Sequence, residues 1–123
     1  MIKGMGIDIV ETARISRVLA RRRERFLNRV FSSGEQASCG DSVHRLAARF
    51  AAKEALFKAL GTGLRYFRWQ EVQVDNDRLG APYFCFSPRL STYLKEKGIT
   101  RTHLSISHSR NYAVVQVILE GDK

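Results

Sequence analysis

One stretch limits the possible folds more than any other: RFAAKEALFKALGTG, from Arg49 to Gly63. Extended back to Val43, it places Val43, Leu46, Ala47, Phe50, Ala51, Glu54 and Phe57 along one side of a helix, at spacings of three and four. The helix is predicted to begin at Ser42 or Val43 and to stop at Gly61, which suits a left-handed C-terminal cap, with Gly63 extending the break. A stripe this wide has to be buried against a second layer of structure. Glu54 lies within it. Arg45, Arg49 and Lys53 form a separate basic row, and Lys58 lies one turn beyond Glu54 on its own face.

The rest of the chain supplies the second layer. Residues 3–10, KGMGIDIV, alternate as a strand should, with Met5, Ile7 and Ile9 on one face and Gly6, Asp8 and Val10 on the other. Thr12 is placed to cap a helix running to about Phe31. Two strand-like runs, about 69–75 and 82–86, flank DNDRLGAP, whose Asp, Asn and Gly favour the turn of a hairpin. Ser87-Pro88 reads as an N-cap with proline at the first helical position, and LSTYLKEK carries that helix to Gly98. HLSISHS and YAVVQVIL then form an antiparallel pair around Ser109-Arg110-Asn111. The order β-α-α-β-β-α-β-β predicts an α+β fold with helices packed on a mainly antiparallel sheet.

With no repeats, linkers or low-complexity tracts, residues 1–123 read as one domain. Hydrophobic residues make up 44% and charged residues 27%, which can build a core without disulfides or structural metal. Cys39 and Cys85 lack the spacing of a zinc site or a redox pair and are expected to be buried free thiols in a reducing cytoplasm. No apolar run is long enough to span a membrane, and MIKGMGIDIVE lacks a signal-peptide layout, so a cytosolic protein is expected.

The formal net charge is +9, which points to an acidic partner. Nucleic acid, anionic lipid, an acidic protein and a polyphosphate all satisfy charge alone. Between residues 14 and 29 there are seven arginines opposed only by Glu24. Arg14, Arg17, Arg21 and Arg25 recur at spacings of three, four and four, a basic stripe beside an apolar one.

Glu54 and Lys58 have the spacing of an ordinary solvated i, i+4 pair. Asp8 changes the balance, because an unpaired charge inside an apolar strand would cost several kcal/mol. It needs a cation, and spacing leaves both an arginine and a metal ion open. Two carboxylates from different elements, completed by water and substrate phosphates, are a common way to hold Mg²⁺. Lys58 would then face the phosphates. A nucleic-acid-binding module would account for the charge but leaves Asp8 and Glu54 unexplained, and no zinc finger or aromatic-rich RNA motif is present, so neither nucleic acid nor membrane is expected as a partner.

GIDIVETARI and RFAAKEALFKALGTG together resemble the holo-acyl-carrier-protein synthases, the small 4′-phosphopantetheinyl transferases. The likeness extends through the Arg-rich helix, LGAP and LSISHS. It implies transfer of 4′-phosphopantetheine from coenzyme A to a serine of an acyl carrier protein, with Mg²⁺ and release of adenosine 3′,5′-bisphosphate, by a trimer with active sites between subunits. Asp8 and Glu54 match the family's metal-binding carboxylates, and Lys58 the lysine beside them. Arg49, Gly63 of GTG, Gly80 and Pro82 of LGAP, and His108 are implied in coenzyme A binding, together with Lys58. Arg14, Arg21, Arg25 and Phe26 are implied in docking the acidic carrier. The chain departs from the family at Ala81, where lysine is common, and at VFSSGE; a histidine at position 108 is frequent rather than universal, and by spacing His108 is also an ordinary strand-end residue beside a turn.

Overall fold

A computed structural model describes residues 1–122. Strand β1 (Ile2–Glu11) runs directly into helix α1 (Thr12–Val30), followed by α2 (Ser33–Cys39) and α3 (Val43–Leu60). A 3-10 turn at Trp69–Glu71 leads into the hairpin β2 (Val72–Asn76) and β3 (Pro82–Phe86), then α4 (Pro88–Glu96), β4 (Arg101–His108) and β5 (Tyr112–Glu120). The strands form a three-stranded antiparallel sheet in the order β1-β5-β4 and a separate antiparallel β2-β3 ribbon. This is the expected α+β architecture, with one helix more than the sequence pattern suggested.

Helix α3 is the centre of the fold. Ser42 caps its start by accepting from the Arg45 amide, and Gly61 ends it at φ 74°, in the left-handed region where glycine carries no steric cost. Leu46, Ala47, Ala51, Ala52, Ala55 and Leu56 are fully enclosed between the large sheet and the other helices. The inward face of β5, Ala113, Val115, Val117 and Leu119, packs against it.

Several local expectations need correcting. Thr12 is not a cap: it is the first helical residue, and its hydroxyl donates to the Arg110 carbonyl at the β4–β5 turn. Helix α1 is broken at Arg22, where φ −146° and ψ 52° leave the helical region. Residues 69–71 are a 3-10 turn rather than strand, and Lys97 occupies the cap position of α4, with Gly98 at φ 74° one residue later. Cys39 is buried as expected, whereas Cys85 is exposed, because on β3 it alternates with the buried Phe84 and so lies on the opposite face. On β1 the alternation is as read, and it is the Gly6, Asp8, Val10 face that meets α3 while Met5, Ile7 and Ile9 stand 58–61% exposed.

Candidate active site

The close approach of β1 to α3 depends on two glycines. A Cβ on Gly4 would lie 2.3 Å from the Ala59 carbonyl oxygen, and one on Gly6 only 2.0 Å from that of Ala55. Without side chains there, the strand rests on the helix backbone, and Asp8 is carried in beside the last two turns of α3. Its carboxylate is 9% exposed. Lys58 Nζ donates to Asp8 Oδ1 at 2.8 Å and to the Ile7 carbonyl at 3.2 Å. Asp8 Oδ2 is buried without any hydrogen-bond partner.

Glu54 is half-buried and close enough to Asp8 for the two carboxyls to influence each other's ionisation. Burial raises its carboxyl to about 7, reinforced by the charge of Asp8, while Arg14 and Lys58 pull the other way. Two carboxyls therefore lie within each other's field with Lys58 paired to only one of them, an arrangement that disfavours double ionisation. The donor set suits a hard cation such as Mg²⁺: two carboxylates from different elements, one with a free lone pair turned inward. Among the described residues no group of three or more His, Cys, Asp or Glu could hold a metal alone, so water or substrate oxygens have to complete the shell. Lys58, expected to face phosphates, is committed to Asp8 in this state because Asp8 is the nearest anion.

A pocket of about 440 Å³ brings together four of the other expected residues, Arg49, Gly80, Pro82 and His108, with Arg45 and Asn76. Three elements supply them: α3 gives the arginines, the β2–β3 hairpin gives Asn76, Gly80 and Pro82, and β4 gives His108. Arg49 is oriented by donating to the Val74 carbonyl at 3.3 Å and to Asn76 Oδ1 at 3.0 Å. Asn76 in turn donates to the Gly80 carbonyl at 2.9 Å. Gly63 is absent from the pocket walls; it sits at φ 59° just past α3, at the Lys58 end of the helix. Asp8 and Glu54 are absent from them too. One chain thus carries a cationic pocket and a carboxylate pair that do not share a cavity.

The basic stripe of α1 is shorter than its spacing implied. Arg14, Arg17 and Arg21 precede the break at Arg22, so the helical period does not carry the row through to Arg25. All four are exposed. Arg23 is paired with Asp41, a partner from outside the helix. Phe26 is half-buried and shares an aromatic cluster, 5.7 Å from the Phe31 ring and 5.8 Å from Phe50. The Arg14 guanidinium lies 5.7 Å above the same Phe50 ring, one turn before Glu54 on α3. Phe50 therefore joins the α1 surface to the carboxylate site.

Lys53 departs most from expectation. It is not part of a solvated basic row but completely buried, 2.7 Å from Glu35 Oε1. Burial lowers its ammonium from the ordinary lysine value, with Glu35 opposing the shift. Helix α2 and Glu35 were not anticipated, although Ser32 and Glu35 have the S-x-x-E spacing of a capping box and form one here.

Comparison with known proteins agrees with this architecture. Residues 4–117 match the model of the 4′-phosphopantetheinyl transferase superfamily. The holo-acyl-carrier-protein synthase of Trichlorobacter lovleyi is 48% identical over 125 residues, covering 98% of this chain and 99% of that one. The crystal structure of the Neisseria meningitidis holo-acyl-carrier-protein synthase superposes with a TM-score of 0.92 at 39% identity, covering 98% of this chain and 99% of that one. The Helicobacter pylori enzyme, crystallised in complex with coenzyme A, gives 0.86 at 31% identity over 94% of this chain and 99% of that one. The chain belongs to the 4′-phosphopantetheinyl transferase superfamily, and within it to the holo-acyl-carrier-protein synthases.

Proposed function

We infer that this protein transfers 4′-phosphopantetheine from coenzyme A to a serine of an apo acyl carrier protein, releasing adenosine 3′,5′-bisphosphate. The observation that carries the reading is the partnerless Asp8 Oδ2 together with a Glu54 carboxyl held near neutrality, a cation site built for a polyphosphate substrate. In the reaction the serine oxygen bonds to the pantetheine-bearing phosphorus as the bridging P–O bond of the pyrophosphate breaks and the nucleotide departs as a phosphate. Charge neutralisation and alignment are the main tasks.

Asp8 and Glu54 would hold Mg²⁺, which supplies neutralisation of the pyrophosphate oxygens when bound. Lys58, exposed over half its side chain, turns its remaining donor capacity to charge developing on the leaving phosphate. Either a Glu54 oxygen or a water that Glu54 orients takes the serine proton. Arg45, Arg49 and His108 line the pocket for the nucleotide phosphates, with Arg49 held in place from two sides. The exposed arginines of α1 form the docking face for an acidic carrier. The direct test is incubation with coenzyme A and apo carrier protein, with Mg²⁺ or with chelator. A carrier mass gain of one phosphopantetheine only with Mg²⁺ is expected; salt-sensitive nucleic-acid binding without transfer would overturn the reading.

The functional unit is proposed to be a cytosolic homotrimer with active sites between subunits. Supporting this, β1 is an edge strand, and on the sheet face turned away from α3 it leaves Met5, Ile7 and Ile9 about 60% exposed, an unusual apolar surface for a solitary molecule. The separation of the cationic pocket from the carboxylate pair on one chain also calls for a second copy to complete the site. Ile7→Arg, on that edge, is expected to give monomers in sedimentation and to lose transfer while still binding carrier. Unchanged trimers would remove β1 from the interface.

A further inference from the structure

The buried Lys53–Glu35 pair is not accounted for by stability. Replacing such a pair with apolar side chains of similar volume is often neutral or stabilising, since desolvating two charges costs as much as their attraction returns. Its bonding pattern is more informative. Lys53 Nζ donates to the Val30 carbonyl at 2.6 Å, to Glu35 Oε1 at 2.7 Å and to the Trp69 carbonyl at 3.3 Å, which holds the end of α1, α2 and the 3-10 turn around one ammonium. Glu35 Oε1 also accepts from the Ser32 amide at 3.0 Å. Glu35 Oε2 accepts from the Val74 amide at 2.9 Å.

That last bond leads to the pocket. The Val74 backbone is held at both of its polar groups: Glu35 takes its N–H, and Arg49 Nε donates to its carbonyl at 3.3 Å. Arg49 continues to Asn76 and Asn76 to Gly80, so a single hydrogen-bonded path runs from a core ion pair to the pocket rim. One turn beyond Glu35 on α2, Ser38 lines the same pocket, and its carbonyl accepts from Arg45 Nη1 at 3.3 Å. Both pocket arginines are therefore oriented by groups that Glu35 fixes. Lys53, meanwhile, is the neighbour of Glu54 along α3.

We propose that Glu35, locked by Lys53, is a positioning residue for the nucleotide half of coenzyme A: it fixes the Val74 backbone and the α2 wall, and through them the guanidinium groups that meet the phosphates. The proposal rests on reading this pocket as the coenzyme A site. It assigns the pair to substrate affinity rather than to the chemical step or to carrier docking.

The test compares two charge-free double variants, Lys53→Met/Glu35→Leu and Lys53→Met/Glu35→Gln, neither of which leaves a lone buried charge. The first removes the acceptor for the Val74 amide; the second keeps one. Binding of adenosine 3′,5′-bisphosphate by calorimetry, KM for coenzyme A, KM for carrier, kcat and melting temperature are measured for both and for the native chain. The Leu variant is expected to show roughly tenfold lower nucleotide affinity and roughly tenfold higher coenzyme A KM, the loss of about one hydrogen bond, with kcat and carrier KM within about twofold. The Gln variant should recover most of that affinity. Native affinity in a folded Leu variant, equal loss in both variants, or losses in every parameter that follow melting temperature would each overturn the proposal. Should the Leu variant fail to fold, hydrogen exchange on the native chain decides: saturating nucleotide should slow exchange of the Val74 amide, and an unchanged rate would refute the coupling. Failure of the native chain to bind the nucleotide would instead remove the pocket reading itself, and the proposal with it.

Discussion

Lys58 Nζ sits 2.8 Å from Asp8 Oδ1 across the packing of α3 on β1, while the other oxygen of that carboxylate is buried with no partner. Lys58 is paired with Asp8 alone, and Glu54 has no ion-pair partner of its own among the described residues. The behaviour of the protein with and without metal follows from that imbalance.

Asp8→Asn and Glu54→Gln are each expected to reduce transfer by at least ~10²-fold, because each removes a charge needed where the pyrophosphate is neutralised. Both should fold. Without metal, their melting temperatures should equal or exceed that of the native chain, since the like-charge contact is relieved. Near-normal, Mg²⁺-dependent activity in either variant would remove that residue from the metal site.

The pH dependence has a definite sign. Burial first, and Asp8 second, raise the Glu54 carboxyl from 4.5 to about 7, so ionising it costs more in the folded chain than in the unfolded one. The metal-free protein therefore loses stability as pH climbs from about 4.5 to about 7 and levels off above. Mg²⁺ affinity should rise through the same interval, because the ion competes with the proton. Unfolding midpoints in chelator and in Mg²⁺ should diverge as pH increases. Parallel curves would contradict the assignment.

Gly6 provides a structural check. A Cβ there would meet the Ala55 carbonyl oxygen at 2.0 Å and the Ala59 amide nitrogen at 2.9 Å, both backbone atoms that cannot swing aside. Gly6→Ala is expected to destabilise the fold by about 1–3 kcal/mol as β1 is pushed off α3. Asp8, two residues along the same face, moves with the strand, so Mg²⁺ dependence should shift in the folded fraction. A denaturant midpoint equal to that of the native chain would show that β1 adjusts freely.

Much of this arrangement could be read from the sequence because it is local. Ser42, Gly61 and Ser87 cap the helices as their types suggest, and alternation alone put Asp8 and Val10 on one face of β1. What alternation cannot give is which face meets the core; here two glycines on the Asp8 side decide it by admitting the helix backbone. Lys53 was misread for a related reason. A helical wheel gives an angle around α3 but not the depth of what packs there, and α2, which covers Lys53, is only seven residues of mostly small and polar type. The break at Arg22 has neither proline nor glycine to announce it, so the arginine row looked continuous.

That break alters how docking should respond to mutation. Arg14 and Arg21 lie before it and Arg25 after it, and the three differ in their surroundings. Arg21 is exposed, so Arg21→Glu should raise carrier KM through lost steering and like-charge repulsion, with coenzyme A KM unchanged. Arg14 has a second role: its guanidinium lies over Phe50 and its charge lowers the pKa of Glu54. Arg14→Glu should therefore raise carrier KM and also move the ascending limb of the pH–rate profile to higher pH, a shift Arg21→Glu should not produce. Transfer by the native enzyme should slow as salt is added, since exposed charges are screened beyond about 8 Å at physiological ionic strength, and the Arg14→Glu/Arg21→Glu variant should lose most of that dependence. If the double variant docks normally but binds coenzyme A weakly, the α1 arginines serve the nucleotide, and the division between a docking helix and a substrate-binding helix is wrong.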